Sequence, residues 1–565
     1  MGAPSTDRSG RLDEARSWRY VRIVTRTMQR TSGRSPEGTC HVRRLTRTGA
    51  VLVSVVLGQA PPSGGLSPGG ADGGFEEITE EMKLETVVGI GARLGTVVAL
   101  SGDIAVAGAR TDAGPQGNPG AAHVFERDPD GPEPWRVAKK LLSSDGEDGD
   151  RFGEYLAMDG ETLVVTAWPE NQAYIFERHA GGPNQWGEVK ILVGHDIIPG
   201  EQFGSAAAVH GDTIAIGAQA ESGPLSRSGA VYVFERNEGG PNNWGQTAKL
   251  KASDAGSDHC FGSSVDIDGD RLAVGSGAAA GERAYVFERS GPGLGDWQEM
   301  AVLFASGSGA AFGKAVTISG ETVAVGAPDE NVEPGDIPGA AYVFEKDHGG
   351  PDAWGEIKRL EIPERDGPSE EFGLDLVLRG DRLVVGAPGA GNEPDAGAVW
   401  VHDRNEGGPN NWGPMAKLLA TDPANADGLG QAIGFDGNTV VAGASGVNAE
   451  ASDEGAAYTF LLGPTLWASG ICPGPMVFGL AGGTPGEQVG LVWSTDRGSF
   501  VVEQGSCVGL ELGLDEPQPA NVLPADADGE VYFPFASPLQ ACGLEIQAID
   551  LTSCEPSNVE TVPGG

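Results

Sequence analysis

Residues 376–388 read LVLRGDRLVVGAP: Leu376, Val377 and Leu378 on one side and Leu383, Val384 and Val385 on the other, with Arg379, Gly380 and Asp381 between them. Branched apolar runs flanking a glycine-bearing pair are the pattern of two short antiparallel strands joined at a tight turn. Arg-Gly-Asp is also a familiar adhesive tripeptide, so the stretch poses a choice between a presented ligand and a hairpin tip.

Repetition decides between them. Phe-Gly or Leu-Gly pairs start at Leu94, Phe152, Phe203, Phe261, Phe312, Phe372 and Leu429, and each is followed by the same strand, turn and strand: LSGDIAVAGA, MDGETLVVTA, VHGDTIAIGA, IDGDRLAVGS, ISGETVAVGA, LRGDRLVVGA and FDGNTVVAGA. The tripeptide is the sixth copy of this turn. A two-residue type I′ turn with x-Gly at its centre is expected in every copy, and because x varies freely, Arg379 needs no functional explanation.

Each unit continues with a variable loop and a third strand, AAHVFER, QAYIFER, AVYVFER, RAYVFER, AAYVFEK, AVWVHDR or AAYTFLL, whose alternation marks a half-buried strand. In six units a Gly/Pro loop follows, with Trp135, Trp186, Trp244, Trp297, Trp354 or Trp412, and then a fourth strand ending near Leu141, Ile191, Leu250, Leu303, Leu360 or Leu418. Four strands per unit, repeated at this interval, predict an all-β, seven-bladed β-propeller over residues 76–462. The seventh unit stops after its third strand at Phe460, while residues 77–87 read as a fourth strand lacking its first three. They are expected to close the ring from the N-terminal side. Residues 463–467, GPTLW, read as the exit linker.

Composition agrees with many short strands: 90 Gly and 38 Pro in 565 residues, with 39% apolar residues. The formal charge is −42. Such a surface repels phosphate, which excludes nucleic acid and anionic membrane as expected partners. Residues 1–60 run the other way, with 11 Arg against 4 acids, and HVRRLTRTGAVLVSVVLGQA (41–60) has the basic, apolar and small-residue order of an export signal. The expected order is therefore a basic leader and signal peptide over 1–60, a flexible Gly/Pro linker over 61–75, and the propeller. A C-terminal immunoglobulin-like β-sandwich follows over 466–565. Four of the six cysteines, Cys472, Cys507, Cys542 and Cys554, fall in this last segment. In an exported chain they read as two disulfides, with three connectivities open. Cys260 reads as a buried free thiol.

FGSSVDIDGDRLAVGS (261–276), FGKAVTISGETVAVGAP (312–328) and FGLDLVLRGDRLVVGAP (372–388) resemble FG-GAP repeats, the blades of the integrin α-subunit propeller and of related secreted bacterial proteins. The resemblance implies the fold firmly and function weakly, since one fold hosts many functions. Metal-binding members carry a longer Asp-rich loop of D-x-D-x-D-G type. The nearest approach here, Asp266-Ile267-Asp268-Gly269-Asp270, is a strand end plus the tight turn. No cofactor is expected, calcium included.

Loops between the second and third strands share a face with the links between blades, and both sets are acidic. Asp145, Glu147, Asp148, Asp150, Asp329, Glu330, Glu333, Asp336, Glu364, Asp366, Glu370 and Glu371 are the binding-face candidates. The eight histidines are scattered without a metalloprotease or nucleophile-elbow pattern. His123 and His402 replace aromatic residues of the third strand, so packing accounts for them. The chain is thus expected to be an exported, non-enzymatic binding or adhesion protein. It would be a monomer without a membrane span in its mature form, located in the secreted space or cell envelope and meeting a protein or cell-surface ligand. The alternative is a propeller hydrolase, lyase or carbohydrate-binding protein using the acidic face, which inward-facing polar residues from several blades would favour. A purely structural envelope component is the third reading.

Overall fold

A computed structural model of the chain describes residues 75–561 apart from short loop segments, and from residue 463 onward only the strands and their pairing. The leader, the linker up to residue 74, Glu333, Asp366 and the four C-terminal cysteines lie outside the described residues.

Seven antiparallel sheets follow one another in chain order. Their innermost strands are Val98–Ser101, Leu156–Asp159, Phe203–His210, Ser264–Asp268, Val316–Ser319, Leu376–Arg379 and Ala432–Phe435, which define blades 1 to 7. The apolar core is divided among seven clusters, one at each junction between neighbouring blades. The cluster uniting Ala432, Val441 and Ala457 of blade 7 with Val98, Leu100 and Ala107 of blade 1 completes the circle. A blade is too thin to bury its own apolar faces, so stability lies in the contacts between sheets.

The repeating motif is the geometry of these junctions. The phenylalanine of Phe-Gly packs edge-on against two third-strand aromatics of its own blade, as Phe261 does on Tyr285 at 5.1 Å and Phe287 at 5.9 Å. Its backbone also bridges the start of the preceding blade's third strand, Gly229 to Phe261 for example. The second-strand glycine answers a different constraint, because a Cβ on Gly275 would collide with the carbonyl of Gly313 in the next blade. Glycine there is a matter of space.

The turn differs from the expectation. Arg379 pairs with Arg382, so the two central residues are Gly380 and Asp381, with glycine first. Gly380 has φ +55° and Asp381 is not among the positive-φ residues, the sign pattern of type II′ rather than I′. Five other blades share this register and a turn glycine at φ +54° to +57°. Blade 7 departs, because Phe435 pairs with Val440 and leaves a longer loop. The residue called x is therefore the last residue of the first strand, aimed at the lumen rather than at the turn.

The N-terminal segment forms two strands where one was expected over 77–87. Glu76–Thr79 lies parallel to the outer strand of blade 6, Gly413–Leu419, while Met82–Leu84 runs antiparallel to Ala456–Leu461 of blade 7. Beyond residue 463, Thr465–Gly470 pairs with Gly474–Ala481 rather than with blade 7, so the stretch read as an exit linker opens a strand. Val531–Ser537 adds to the other side of Gly474–Ala481, and the remaining strands form an antiparallel sheet of order Gln518–Pro524, Gln488–Ser494, Glu545–Asp550, Pro556–Thr561 and a pair Arg497–Val501 with Glu511–Leu514.

Candidate functional site

The inner strands enclose a lumen of about 1660 Å³, lined by all seven blades. Counting from the Phe or Leu that starts each unit, the residues three and five places on face inward at mid-height, and the residue seven places on forms the rim on the turn side. One wall is small and apolar, with Ala99, Ala157, Ala208 and Gly434. The other is polar, with Asp266 from blade 4, Thr317 from blade 5 and Asp375 from blade 6.

These polar groups brace one blade against the next. Asp266 Oδ2 accepts the Ile318 N–H and the Thr317 hydroxyl of blade 5, each at 2.8 Å, while Oδ1 accepts the Ile267 N–H at 2.9 Å. Thr317 in turn accepts the Leu378 N–H of blade 6 at 3.0 Å, and Asp375 accepts the Ile433 N–H of blade 7 at 2.7 Å. Inner strands have no sheet partner on their lumen edge, so these side chains satisfy their backbone donors. Burial pushes the Asp266 carboxyl above the usual range, with the Arg379 guanidinium the largest opposing influence, and pushes Asp375 up to about 6. Burial likewise raises Tyr155 of blade 2 to about 12.

The rim repeats the same device. Ser101, Asp159, Asp268 and Ser319 each accept the turn-glycine N–H of the following blade, at 2.5–3.1 Å. Position x is thus an acceptor site, and the sequence SDHDSRD read down the seven copies already contains that signal. Arg379 is the copy that cannot accept. The Arg-Gly-Asp tripeptide is not splayed for presentation: the Asp381 carboxylate is paired with Arg404 of the same blade.

On the turn side runs a chain of ion pairs carried by the third-strand Glu-Arg. Arg289 stacks on Trp297 of its own blade at 4.7 Å and reaches back to Glu235 at 2.7 Å and the Thr213 hydroxyl at 3.1 Å on blade 3. Arg178 to Glu126, Arg236 to Glu177, Lys346 to Glu288 and Arg404 to Glu345 repeat it. At the seventh-to-first junction Arg127 takes Glu81 of the N-terminal segment at 3.3 Å.

The acidic loop residues are placed as follows. Asp145 accepts the Tyr174 hydroxyl at 2.8 Å, Asp148 the Asn118 N–H at 2.8 Å, and Asp150 the Glu147 N–H at 2.5 Å. Glu330 is buried between Arg359 and the Tyr342 hydroxyl, and Glu370 between Arg365 and the Gly367 N–H. Asp336 pairs with Arg365, and Glu364 with Lys417 at 2.9 Å. Burial and the nearby Asp329 and Asp395 raise the half-buried Glu371. Glu147 and Asp329 are exposed, as are Asp258 and Asp395 on the same face, which are not among the sequence candidates. Most of the candidates therefore fold the loops they sit on; Asp145, Asp148, Glu330, Asp336 and Glu364 have partners 29 to 53 residues away in sequence, where no local pattern links them, whereas Asp150 and Glu370 bond within five residues.

A calcium cage is not formed at Asp266-Asp268-Asp270. Asp266 is engaged as above, Asp268 accepts the Gly320 N–H at 2.5 Å, and Asp270 pairs with Arg289 at 3.0 Å, so the three carboxylates serve different neighbours. Among the described residues no group of three or more His, Cys, Asp or Glu side chains is placed to hold a metal ion. Cys260 is free and buried. No helix among the described residues is long and apolar enough to cross a membrane.

Comparison with known proteins gives a family and no close relative. The FG-GAP repeat model matches residues 135–176, 186–234, 244–287, 297–344 and 412–460. No curated protein sequence matches the chain. Among solved structures, hydrazine synthase of Kuenenia stuttgartiensis is 12% identical with TM-score 0.39, covering 64% of this chain and 94% of its own. A putative 6-phosphogluconolactonase from Bacteroides uniformis is 12% identical with TM-score 0.38, covering 58% of this chain and 86% of its own. A streptogramin B lyase is 9% identical with TM-score 0.42, covering 67% and 97%. Likeness at that level carries no argument about chemistry. Five matched repeats, set in a ring of seven like sheets, make this chain an FG-GAP β-propeller protein.

Proposed function

We propose that this chain is an exported, non-enzymatic binding protein whose loop face meets a protein or cell-surface partner, without a cofactor. One contrast supports the reading. The polar residues of the lumen are spent on bracing neighbouring blades, whereas Glu147, Asp258, Asp329 and Asp395 stand exposed on the loop face. An exposed anionic surface on a rigid ring suits a partner with a basic patch. In this reading residues 75–84 lock the ring by lying across blades 6 and 7. The four C-terminal cysteines staple a small sandwich that continues the chain outside the cytoplasm.

The test is partner capture by cross-linking on envelope preparations. Reversing charge at Glu147, Asp258 and Asp329 to lysine removes the captured partner, while Glu238→Lys with Asp352→Lys on the opposite face leaves it. Equal capture by both variants overturns the assignment of the face. Turnover of substrate by purified protein, abolished by Asp375→Asn, overturns the non-enzymatic reading.

A further inference from the structure

The rim of the lumen contains one residue that breaks its own pattern. Where four blades place an acceptor for the next blade's turn glycine, blade 6 places Arg379. The guanidinium lines the lumen, is exposed, and makes no hydrogen bond or ion pair among the described residues. That is unusual on this ring, where the other rim and outer arginines, such as Arg178, Arg236, Arg289 and Arg404, are each paired.

The carboxylates beside it have other donors. Asp381 is paired with Arg404, Asp268 accepts the Gly320 N–H, and Asp436 accepts the N–H groups of Asn438 at 3.0 Å and Thr439 at 2.7 Å. Deeper in the lumen Asp266 is satisfied by three donors of the chain, none of them a cation. Arg379 and Asp266 line the same lumen, and the guanidinium favours the charged form of that carboxyl. The rim thus holds a guanidinium bonded to no acid, and below it stands a carboxylate whose three bonded donors are all neutral.

The class of ligand follows from the charges. A guanidinium fork takes a planar carboxylate in two parallel hydrogen bonds. A bare anion would have to enter against the field of a chain with formal charge −42. A molecule with an anion and a cation side by side meets no such barrier and offers a partner to each group. We propose that the rim of the lumen binds a small zwitterion of the amino-acid class, its carboxylate on Arg379 and its ammonium directed toward Asp266. The small residues opposite, Ala99, Ala157 and Gly434, leave space for the side chain of such a ligand within the 1660 Å³ lumen. This site is separate from the loop face and stands whether or not that face binds a protein.

The test uses the full chain and three probes of matched size at fixed ionic strength: L-alanine, acetate and ethylamine, followed by saturation-transfer NMR. Alanine is expected to bind saturably and at least about tenfold more tightly than either singly charged probe. Arg379→Gln lowers alanine affinity about tenfold or more, and Arg379→Lys restores only part, because an ammonium cannot make the paired bonds. Lys314→Gln, at the far mouth of the lumen, leaves it unchanged. Arg379 is exposed at a strand end, so its variants keep the native circular dichroism. Unaltered alanine affinity in Arg379→Gln, equal affinity for alanine and acetate, or the absence of saturable alanine binding each overturns the proposal.

Discussion

The junction between blades 3 and 4 and the junction between blades 6 and 7 solve one problem in two ways. At the first, Arg289 is stacked on Trp297 and paired with Glu235 and Thr213 of the preceding blade. At the second, Asp403 and Leu462 stand where glutamate and arginine stand elsewhere, and Leu462 is fully buried in the apolar cluster between the blades. Arg382, at the position of Thr213, donates instead to the Gly437 carbonyl of blade 7 at 3.0 Å. The segment from Phe75 to Leu84 lies across this same junction. Phe75 packs edge-on against Trp400 at 4.6 Å, Glu76–Thr79 pairs with blade 6, Glu80 accepts both the N–H and hydroxyl of Thr421, and Met82–Leu84 pairs with blade 7. The junction without the repeated ion pair is the one bridged by covalent chain, which replaces a side-chain contact with backbone hydrogen bonds and apolar burial.

The largest effect is expected from removing that bridge. Deleting residues 75–86 takes away the fully buried Leu84 and two sets of strand pairs. It should cost on the order of 5 kcal/mol in denaturant unfolding, recovered in part by adding the peptide 75–86. An unchanged midpoint would mean that blades 6 and 7 need no bridge. Arg289→Ala strikes the contrasting junction and leaves Glu235, buried at 4% side-chain exposure, without its cation. A loss of about 3 kcal/mol is expected by the same measurement.

The third experiment transplants one solution onto the other site. Leu462→Arg alone places a cation in an apolar cluster near Arg382 and should lose about 2 kcal/mol or more. With Arg382→Thr the arrangement of the 3/4 junction is rebuilt opposite Asp403, and the double-mutant cycle should return a favourable coupling. An additive cycle would show that the two junctions are not interchangeable.

His402 extends the comparison within blade 6, since Phe287 and five other phenylalanines occupy its position. Its Nε2 is buried without a partner, and burial lowers its pKa to about 3. The native protein therefore keeps His402 neutral while the unfolded chain protonates near 6.5, so stability is present above that value and is lost as pH falls from about 6.5 toward 3. His402→Phe should add about 1 kcal/mol at pH 7 and flatten this part of the pH–stability curve relative to the parent. The smallest effect belongs to Asp381→Asn, a half-buried partner of Arg404 at the turn, with less than about 1 kcal/mol expected. A larger loss would put the turn itself among the determinants of the ring.

The ring is legible in sequence because its determinants are local. Phe-Gly, the second-strand glycine and the aromatic pair of the third strand recur in order, with Leu94 and Leu429 in place of phenylalanine and Thr166 in place of one glycine, and the six second-strand glycines each meet the corresponding glycine carbonyl of the next blade. The turn type is not legible, because a four-residue string containing glycine does not fix which two residues are central; only the pairing of Arg379 with Arg382 does. The split of the N-terminal segment is hidden for a different reason. Glu80 and Leu84 keep the spacing of Glu188 and Leu192, but nothing in residues 75–79 states that their partner is blade 6. The acidic loops look like one surface in sequence because the tyrosines, lysines and arginines that occupy them come from other elements. Variability at the position of Arg379 hides what Ser101, Asp159, Asp268 and Ser319 have in common, an oxygen that accepts the next blade's N–H.

The entering segment, after crossing blade 6, ends on the same blade from which the chain leaves the ring. Met82 faces Thr459, so the lead into one strand and the lead out of the other emerge from the same end of their sheet. Tension applied between the two ends would first pull Glu76–Thr79 from blade 6, then open the bonds of Met82–Leu84 one after another from the Glu81–Thr459 contact inward. A protein held at both ends would thus yield at its seam under modest force while the other six sheets stay folded, a fuse between whatever the two ends are fastened to.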